Sequence, residues 1–530
     1  MIQTTQSKIL FILLLSTSFF YPCIQAQISL SGQLFTRTEL RAGLGNLVLK
    51  GAKSAAFTSQ RTRLILGYKW DRLKFGASIQ DVRVWGQDAS SLSNADGNRL
   101  MLHEGWADLI LFNKADTSIK AKGIDLMSIK IGRQELNYDD VRLIGNLDWL
   151  QQGRRHDLVL LKIVHQGWQI DIGQAFNQNS DAFGMTSTAY VPGNLPLYIK
   201  NSNGVLVPTP AGILPLSTGG NLNNNSSRSG TPVFSNPPTT NGGNQDYKSF
   251  TSLYISKKFN QTKFSALFFN DHFGKYTLDS IGSTASGYVY GRRFTPSGLS
   301  DAPVYSGTNS RFTYGLMINH SAGNASGFGK ISVQTAYYIQ SGSNRDGIKM
   351  KNSYHFTAAA TYQKGKFSIT PGYDILSGNN ASTPEDEKFD PMYGTPHKHW
   401  GCMDYFYVGT GSPSGGLSNP YLKLKYTTGV IGAGVDWHFF SLNQDMKKSD
   451  GSILDKVLGN EVDLQFTYTM NKFTNIELAY SLMNATSSMA IAKGQASSDA
   501  IADTYQRTGT WFYAMIRFTP DFLSFKSNLK

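Results

Sequence analysis

Glu461-Val462-Asp463-Leu464-Gln465-Phe466-Thr467-Tyr468 changes character at every residue. In an extended chain Val462, Leu464, Phe466 and Tyr468 share one face, and Glu461, Asp463, Gln465 and Thr467 share the other. A strand of this kind needs an apolar medium on one side and water on the other. The wall of a transmembrane β-barrel offers both, lipid outside and an aqueous lumen inside. Asn475-Ile476-Glu477-Leu478-Ala479-Tyr480-Ser481 repeats the pattern. So does Arg61-Thr62-Arg63-Leu64-Ile65-Leu66-Gly67-Tyr68, where Leu64, Leu66 and Tyr68 take the apolar face and Arg61 and Arg63 point inward.

About 18 runs of this type can be marked between Gly32 and Ala514. Their connections alternate in length. Tight turns stand at Trp70-Asp71-Arg72, Phe259-Asn260-Gln261, Gln363-Lys364-Gly365-Lys366 and Met470-Asn471-Lys472. Long connections run from Gly86 to Asn98, Gln178 to Gln245, Tyr276 to Ser310 and Gly378 to Ser418. Short periplasmic turns opposite long external loops mark outer-membrane barrels, and a soluble sandwich or propeller has no reason to alternate in this way. Both termini then lie on the periplasmic side and the strand count is even. The expected fold is an all-β, antiparallel up-and-down barrel, wide enough for an aqueous channel.

Composition agrees. The 530 residues carry only 16% charged side chains, against roughly 25% in soluble proteins, and 12% aromatics. Mean hydropathy is −0.27, as a wall half in lipid and half in water requires. The net charge of +13 fits either attraction to anionic headgroups or a lumen field that favours anions. Lys8, the apolar run Ile9 to Phe20 and the small residue of Ile24-Gln25-Ala26 read as an export leader over residues 1–26, with the barrel filling 27–530. The residues before Cys23 are too bulky for lipidation, and Cys402 is then the one cysteine of the mature chain. The loop from Gln178 to Gln245 contains Gly219-Gly220-Asn221-Leu222-Asn223-Asn224-Asn225-Ser226-Ser227 and cannot build a core of its own, so a structureless external loop is expected there, with a lid as the other reading.

One segment is dense in unusual residues: Ile131-Gly132-Arg133-Gln134-Glu135-Leu136-Asn137-Tyr138-Asp139-Asp140-Val141-Arg142-Leu143-Ile144-Gly145. It resembles the alginate-export family of outer-membrane barrels, in which a Gly-Arg-Gln strand end runs into a Tyr-x-Asp-x-Arg-Leu loop. Trp149, Arg155-His156-Asp157, Gly372 to Asn379, Phe389 to Asp404 and Leu458 to Asp463 are similar to later family segments, the Phe389 segment to a loop of Bacteroidetes members. The resemblance implies a monomeric barrel with an arginine-lined, anion-selective path for a polyuronate such as alginate. Arginine matches carboxylate with a planar fork and stays charged. Many weak sites let a polymer slide where one tight site would hold it. The candidates for that lining are Arg61 and Arg63 by strand phase, Arg133 and Arg142 by the family segment, and the pair Arg154 and Arg155. Each has a second reading as one end of an ion pair across the lumen, with Asp108, Glu461 or Asp463 as gate or partner.

The partners expected are outer-membrane lipid, an anionic polysaccharide or small anions, and a periplasmic export machine; nothing calls for nucleic acid, a cofactor or a metal. Two other functions compete. A general porin would pass small solutes of either charge. An outer-membrane enzyme would need a nucleophile and base, and His397, His399 and Asp404 are the one tempting group, without a third fixed ligand for a metal. A plugged TonB-dependent transporter does not fit a chain whose strands begin directly after the leader.

Overall fold

The computed structural model describes residues 27–86, 100–114, 123–178, 190–191, 195–217, 231–233, 247–294, 307–380, 383–406 and 413–525. The segment read as a leader, 1–26, lies outside them. The barrel strands begin with β1 Gln27–Ala42, β2 Ala55–Trp70, β3 Leu73–Val84, β4 Met101–Asn113, β5 Leu126–Gln134 and β6 His156–His165. They continue with β7 Trp168–Phe176, β8 Tyr247–Phe259, β9 Thr262–Gly274, β10 Thr308–Asn324, β11 Gly329–Ser343 and β12 Lys349–Lys364. The last are β13 Phe367–Leu376, β14 Leu417–Thr427, β15 Ile431–Ser441, β16 Val457–Asn471, β17 Thr474–Ala485 and β18 Thr508–Phe518. β18 breaks at Pro520, which has no N–H for a ladder, and resumes against β1 as Asp521–Phe525.

Each strand runs antiparallel to the next, and β1 pairs with both β2 and β18, so the sheet closes as an 18-stranded barrel. The even count and the antiparallel order are those read from the connections. Register then aligns the apolar faces. One row runs Ile369, Leu424, Val435, Leu464, Tyr480, Phe512 across β13 to β18, each directly opposite the next. All six are exposed on the outer wall. Such a ring of large apolar side chains is stable against hydrocarbon and not against water. No helix of the described residues is long and apolar enough to cross a membrane; the strands do so.

Even-to-odd connections are tight at Asp71-Arg72, Gln166-Gly167, Asn260-Gln261, Gly365-Lys366 and Lys472-Phe473. Asp71, Gln166 and Asn260 take φ of 48°, 47° and 51°, the positive values that two-residue hairpin turns demand. Two connections depart from the rule: 114–125 between β4 and β5 is longer, and 344–348 between β11 and β12 is short.

The expectation of a structureless loop between β7 and β8 is corrected over its described part. Tyr198–Lys200 and Leu206–Pro208 form a hairpin, and Ile213–Ser217 joins a small sheet with Thr277–Ser283 and Gly287–Arg293 from the β9–β10 loop. That loop borrows its partner from another loop, which composition cannot reveal. The Gly219 to Ser227 run lies outside the described residues.

The two faces give opposite responses to charge. Leu464→Arg places a cation in hydrocarbon and is expected to lower refolding stability by about 2–4 kcal/mol. Gln465→Arg, one residue on and lumen-facing, is expected to cost less than about 1 kcal/mol. Equilibrium refolding into vesicles reads both; equal losses would refute the assigned phase.

Candidate functional site

The lumen face of the barrel is not an open wall. Two external loops, 135–155 and 383–406, turn inward and pack on each other. Tyr393 N–H donates to Leu143 O at 3.0 Å, Gly145 N–H to Tyr393 O at 3.0 Å, and Thr395 N–H to Val141 O at 2.8 Å. The first two bonds form a parallel bridge between Ile144 and Tyr393. The approach is so close that a Cβ on Gly394 would stand 1.8 Å from Arg142 O, so only glycine serves there. Leu143, Ile144, Leu147, Phe389, Tyr393 and Trp400 are all buried in a core shared with inward side chains of the wall.

Ties to the wall come from around the circumference. Arg37 of β1 donates to Trp149 O at 2.9 Å, and its guanidinium lies 4.0 Å over the Trp149 ring. Arg61 of β2 reaches Asp148 at 2.6 Å and Gln151 O at 3.0 Å. On the far side Asp139 accepts from Tyr254, Lys263 and Ser265 at 2.8, 2.9 and 2.7 Å. Arg311 of β10 bridges Asp271 and Asp390, both at 2.5 Å. Arg142 joins Asp140 of its own loop at 3.1 Å to Asp374 of β13 at 2.5 Å. Glu461 and Asp463 of β16 accept the Met403 and Cys402 N–H groups at 2.8 and 3.3 Å.

The predicted arginines therefore divide by position. Arg61, Arg63, Arg142 and Arg154 are inside and buried. Arg63 donates twice to Gln80, whose amide donates to Gln152 O. Arg154 donates to Gly394 O at 2.6 Å. Arg155 is half-buried, 3.4 Å from Gly153 O and 3.5 Å from Met101 Sδ. Arg133 lies on the outer face, opposite Asp157, which it grips with two bonds of 2.9 Å. It shares that face with the exposed Ile131 and Val159. Gly132 before it takes φ +122°, and a Cβ there would sit 2.3 Å from Gly105 O, so the position needs glycine. None of the six makes a salt bridge among the described residues to Asp108, Glu461 or Asp463; their acids are Asp148, Glu135, Asp140, Asp374 and Asp157.

His397 and His399 go to different partners. His397 Nδ1 lies 2.9 Å from Asp404 Oδ1, and its ring stacks on Trp149 with centroids 4.2 Å apart. His399 Nε2 lies 3.2 Å from Asp140 O. A different group brings metal-ligand atoms within 4.8 Å of one another, His103, Glu104 and Glu135. There His103 Nε2 meets Glu135 at 2.8 Å, and Arg63 stands 3.8 Å away from the same carboxylate. A guanidinium already fills the place of the positive charge.

Four lysines that were not singled out from the sequence lie on the lumen face near the short turns. Lys74 of β3 is opposite Asp108 of β4, which is opposite Lys130 of β5. Lys162 of β6 is opposite Asp171 of β7, which is opposite the inward Tyr254 of β8. Lys263 of β9 follows the same phase. Two of them have loose contacts, Lys74–Asp108 at 3.8 Å and Lys162–Asp171 at 3.9 Å, whereas Lys263 is held by Asp139 at 2.9 Å and Lys130 Nζ lies 3.8 Å over the Trp106 ring. The side chains of Lys74, Lys162 and Lys263 are 42%, 39% and 38% exposed, against 1% for Arg61 and 4% for Arg142. Strand phase alone would have placed them inward.

Burial opposes the charge of Asp140, yet Arg142 outweighs it and holds the carboxyl below its ordinary range. Burial, then Arg142, hold His399 below its ordinary 6.5, so it is neutral in the fold. The unfolded chain takes up that proton as pH falls through 6.5, so the folded loops lose stability below this value and have it in full above. His399→Gln, which cannot titrate, is expected to flatten the fall in loop stability below pH 6.5, read by limited proteolysis of 383–406. An unchanged pH profile would remove His399 from the account. Arg142→Met strands Asp374 without its partner and is expected to cost about 3–5 kcal/mol, read by refolding.

The model of the Alginate export family matches residues 37–175 of this chain. That stretch holds the Ile131 to Gly145 segment, Trp149 and Arg155-His156-Asp157, whereas the segments at 372–379, 389–404 and 458–463 lie beyond it. No curated protein matches the sequence. Among solved structures, Pseudomonas aeruginosa OccK9 (OpdG) is 10% identical with a TM-score of 0.51, over 93% of this chain and 98% of that one. Acinetobacter baumannii OccAB1 is 9% identical with a TM-score of 0.51, over 94% and 97%. Pseudomonas aeruginosa OpdL is 10% identical with a TM-score of 0.50, over 94% and 99%. Identity this low speaks to fold alone. With the apolar outer wall and the closed sheet, the chain is a bacterial outer-membrane β-barrel, whose residues 37–175 match the Alginate export model.

Proposed function

We propose that this barrel works as a single-chain channel for carboxylated sugars of the uronic-acid class, alginate-derived chains among them. The observation that carries the reading is the two loosely paired, half-exposed lysines Lys74 and Lys162 on the lumen face, with Lys130 between them in strand order. A loosely paired ammonium keeps most of its field available to a passing carboxylate. Point charges on flexible stems bind weakly and release easily, as conduction needs. The match to the Alginate export model supports uronate as the sugar class.

The buried arginines take a different part in this reading. Arg61, Arg63, Arg142 and Arg154 fix the loops that narrow the lumen, and so set the size of what passes rather than its charge. Two loops packed inside the barrel favour small acidic sugars and thin single chains over a bulky polymer. The His397, His399 and Asp404 group goes to loop packing and not to catalysis, since its rings and carboxylate are already engaged.

Planar-bilayer recording tests both parts. Lys74→Glu with Lys162→Glu is expected to shift the reversal potential toward cation preference. Arg61→Glu is expected to raise conductance with a smaller change in selectivity, by freeing Asp148 and its loop. Oligouronates are expected to block current, and neutral oligosaccharides of equal length to leave it unaltered. If charge reversal of the lysines leaves selectivity unchanged, or neutral sugars block equally, the proposal fails.

A further inference from the structure

The outer wall carries a groove of about 470 Å³ on β12 to β15, lined by Tyr362, Phe367, Ile369, Leu424, Tyr426 and Ala433. Its cause is a single residue. The row Lys364, Phe367, Tyr426, Ala433, Phe466, Leu478 runs across β12 to β17, each opposite the next. Every other apolar member is large, and Ala433 leaves a gap between the rings of Tyr426 and Phe466. The row above it, Tyr362, Ile369, Leu424, Val435, Leu464, is complete and closes the upper end.

The row ends on β12 at Lys364, beside the Gly365-Lys366 turn. Lys364 is exposed on the outer face next to Phe367 and has no ion pair among the described residues. This level is that of the short turns, and so of the periplasmic leaflet, which is built of phospholipid. An apolar slot that crosses from Ala433 past Tyr426 and Phe367 to a bare ammonium matches one acyl chain and its phosphate.

We propose that the groove is a site for an anionic phospholipid of the periplasmic leaflet, with one chain over Ala433 and the phosphate at Lys364. The occupant follows from position. This face meets lipid by being the outer wall, and a smooth wall would hold no particular molecule. The gap at Ala433 supplies the fit, and Lys364 supplies the preference for charge.

Native mass spectrometry of the full barrel, titrated with phosphatidylglycerol or phosphatidylethanolamine, tests this. The wild type is expected to retain one phosphatidylglycerol at detergent levels that strip the rest. Ala433→Phe completes the ring row, fills the groove and is expected to lower retention at least tenfold. Lys364→Ala is expected to lower the preference for phosphatidylglycerol over phosphatidylethanolamine about fivefold, on the order of one lysine near a membrane surface. Val333→Phe, on another stretch of the outer wall, reports any general effect of added bulk, and heat-modifiable gel migration reports folding. Equal lipid ladders for the wild type and Ala433→Phe, or an equal loss in Val333→Phe, would overturn the site.

Discussion

Everything in this molecule follows from the need to pair each backbone N–H and C=O inside a hydrocarbon layer. An unpaired group there costs several kcal/mol, so a sheet with a free edge cannot span. Pairing of β1 with β18 removes the edge. Where a proline withholds its N–H the ladder yields locally. Pairing of β12 with β13 passes from Ala359–Gly372 to Tyr362–Ile369, skipping Pro371, and then continues. Closure also fixes the two-residue period, since a slip of one residue would turn every outward leucine into the lumen. The apolar belt and the polar lumen are thus one constraint seen from two sides.

The polar side inherits a second problem. A lumen this wide would stand open, and the chain fills it with its own loops. Those loops bring backbone and carboxylates into a space with little water, and a buried charge is tolerable only when paired. Hence the pattern of ties. Arg142 meets Asp374 from a position 232 residues away, and Arg154 meets Gly394 across 240. The Arg142–Asp374 pair is weak evidence for net stability, because its own desolvation offsets much of the attraction. It is strong as a device of register, because any other docking of the loop would leave both charges bare.

This explains how far the sequence could be read. Strand phase was legible because it is local and periodic; it turns Arg61, Arg63 and Glu461 away from the exposed apolar face, and all three are buried. The same phase puts Ile129, Ile131 and Arg133 on one face, and so sends Arg133 outward; the family segment drew it inward in expectation. The infolding of 135–155 and 383–406 left no periodic mark. Its one local trace is Gly394, whose need for glycine shows only once Arg142 O is known to lie against it. The His103 cluster was equally hidden. It depends on a bulge in β4, where Ser78 pairs with Glu104 and Ile79 with Leu102, so that adjacent residues can both contribute.

The division between arginine and lysine in the lumen is the remaining step. Arginine loses little freedom when its planar fork meets a carboxylate or two carbonyls, so it suits contacts that must not move. Lysine carries its charge on four freely rotating carbons and is strongly hydrated, so it suits contacts that must form and break. In this barrel the arginine contacts to Asp148, Asp374 and Asp390 are 2.5–2.6 Å, and those of Lys74 and Lys162 to their acids are 3.8–3.9 Å. The tight arginines hold the loops, as Lys263 does through Asp139 at 2.9 Å, while Lys74 and Lys162 pair with carboxylates of the wall. Charge count alone, at +13, could not separate these tasks. Side-chain chemistry and distance do, and they set the buried arginines apart from Lys74 and Lys162.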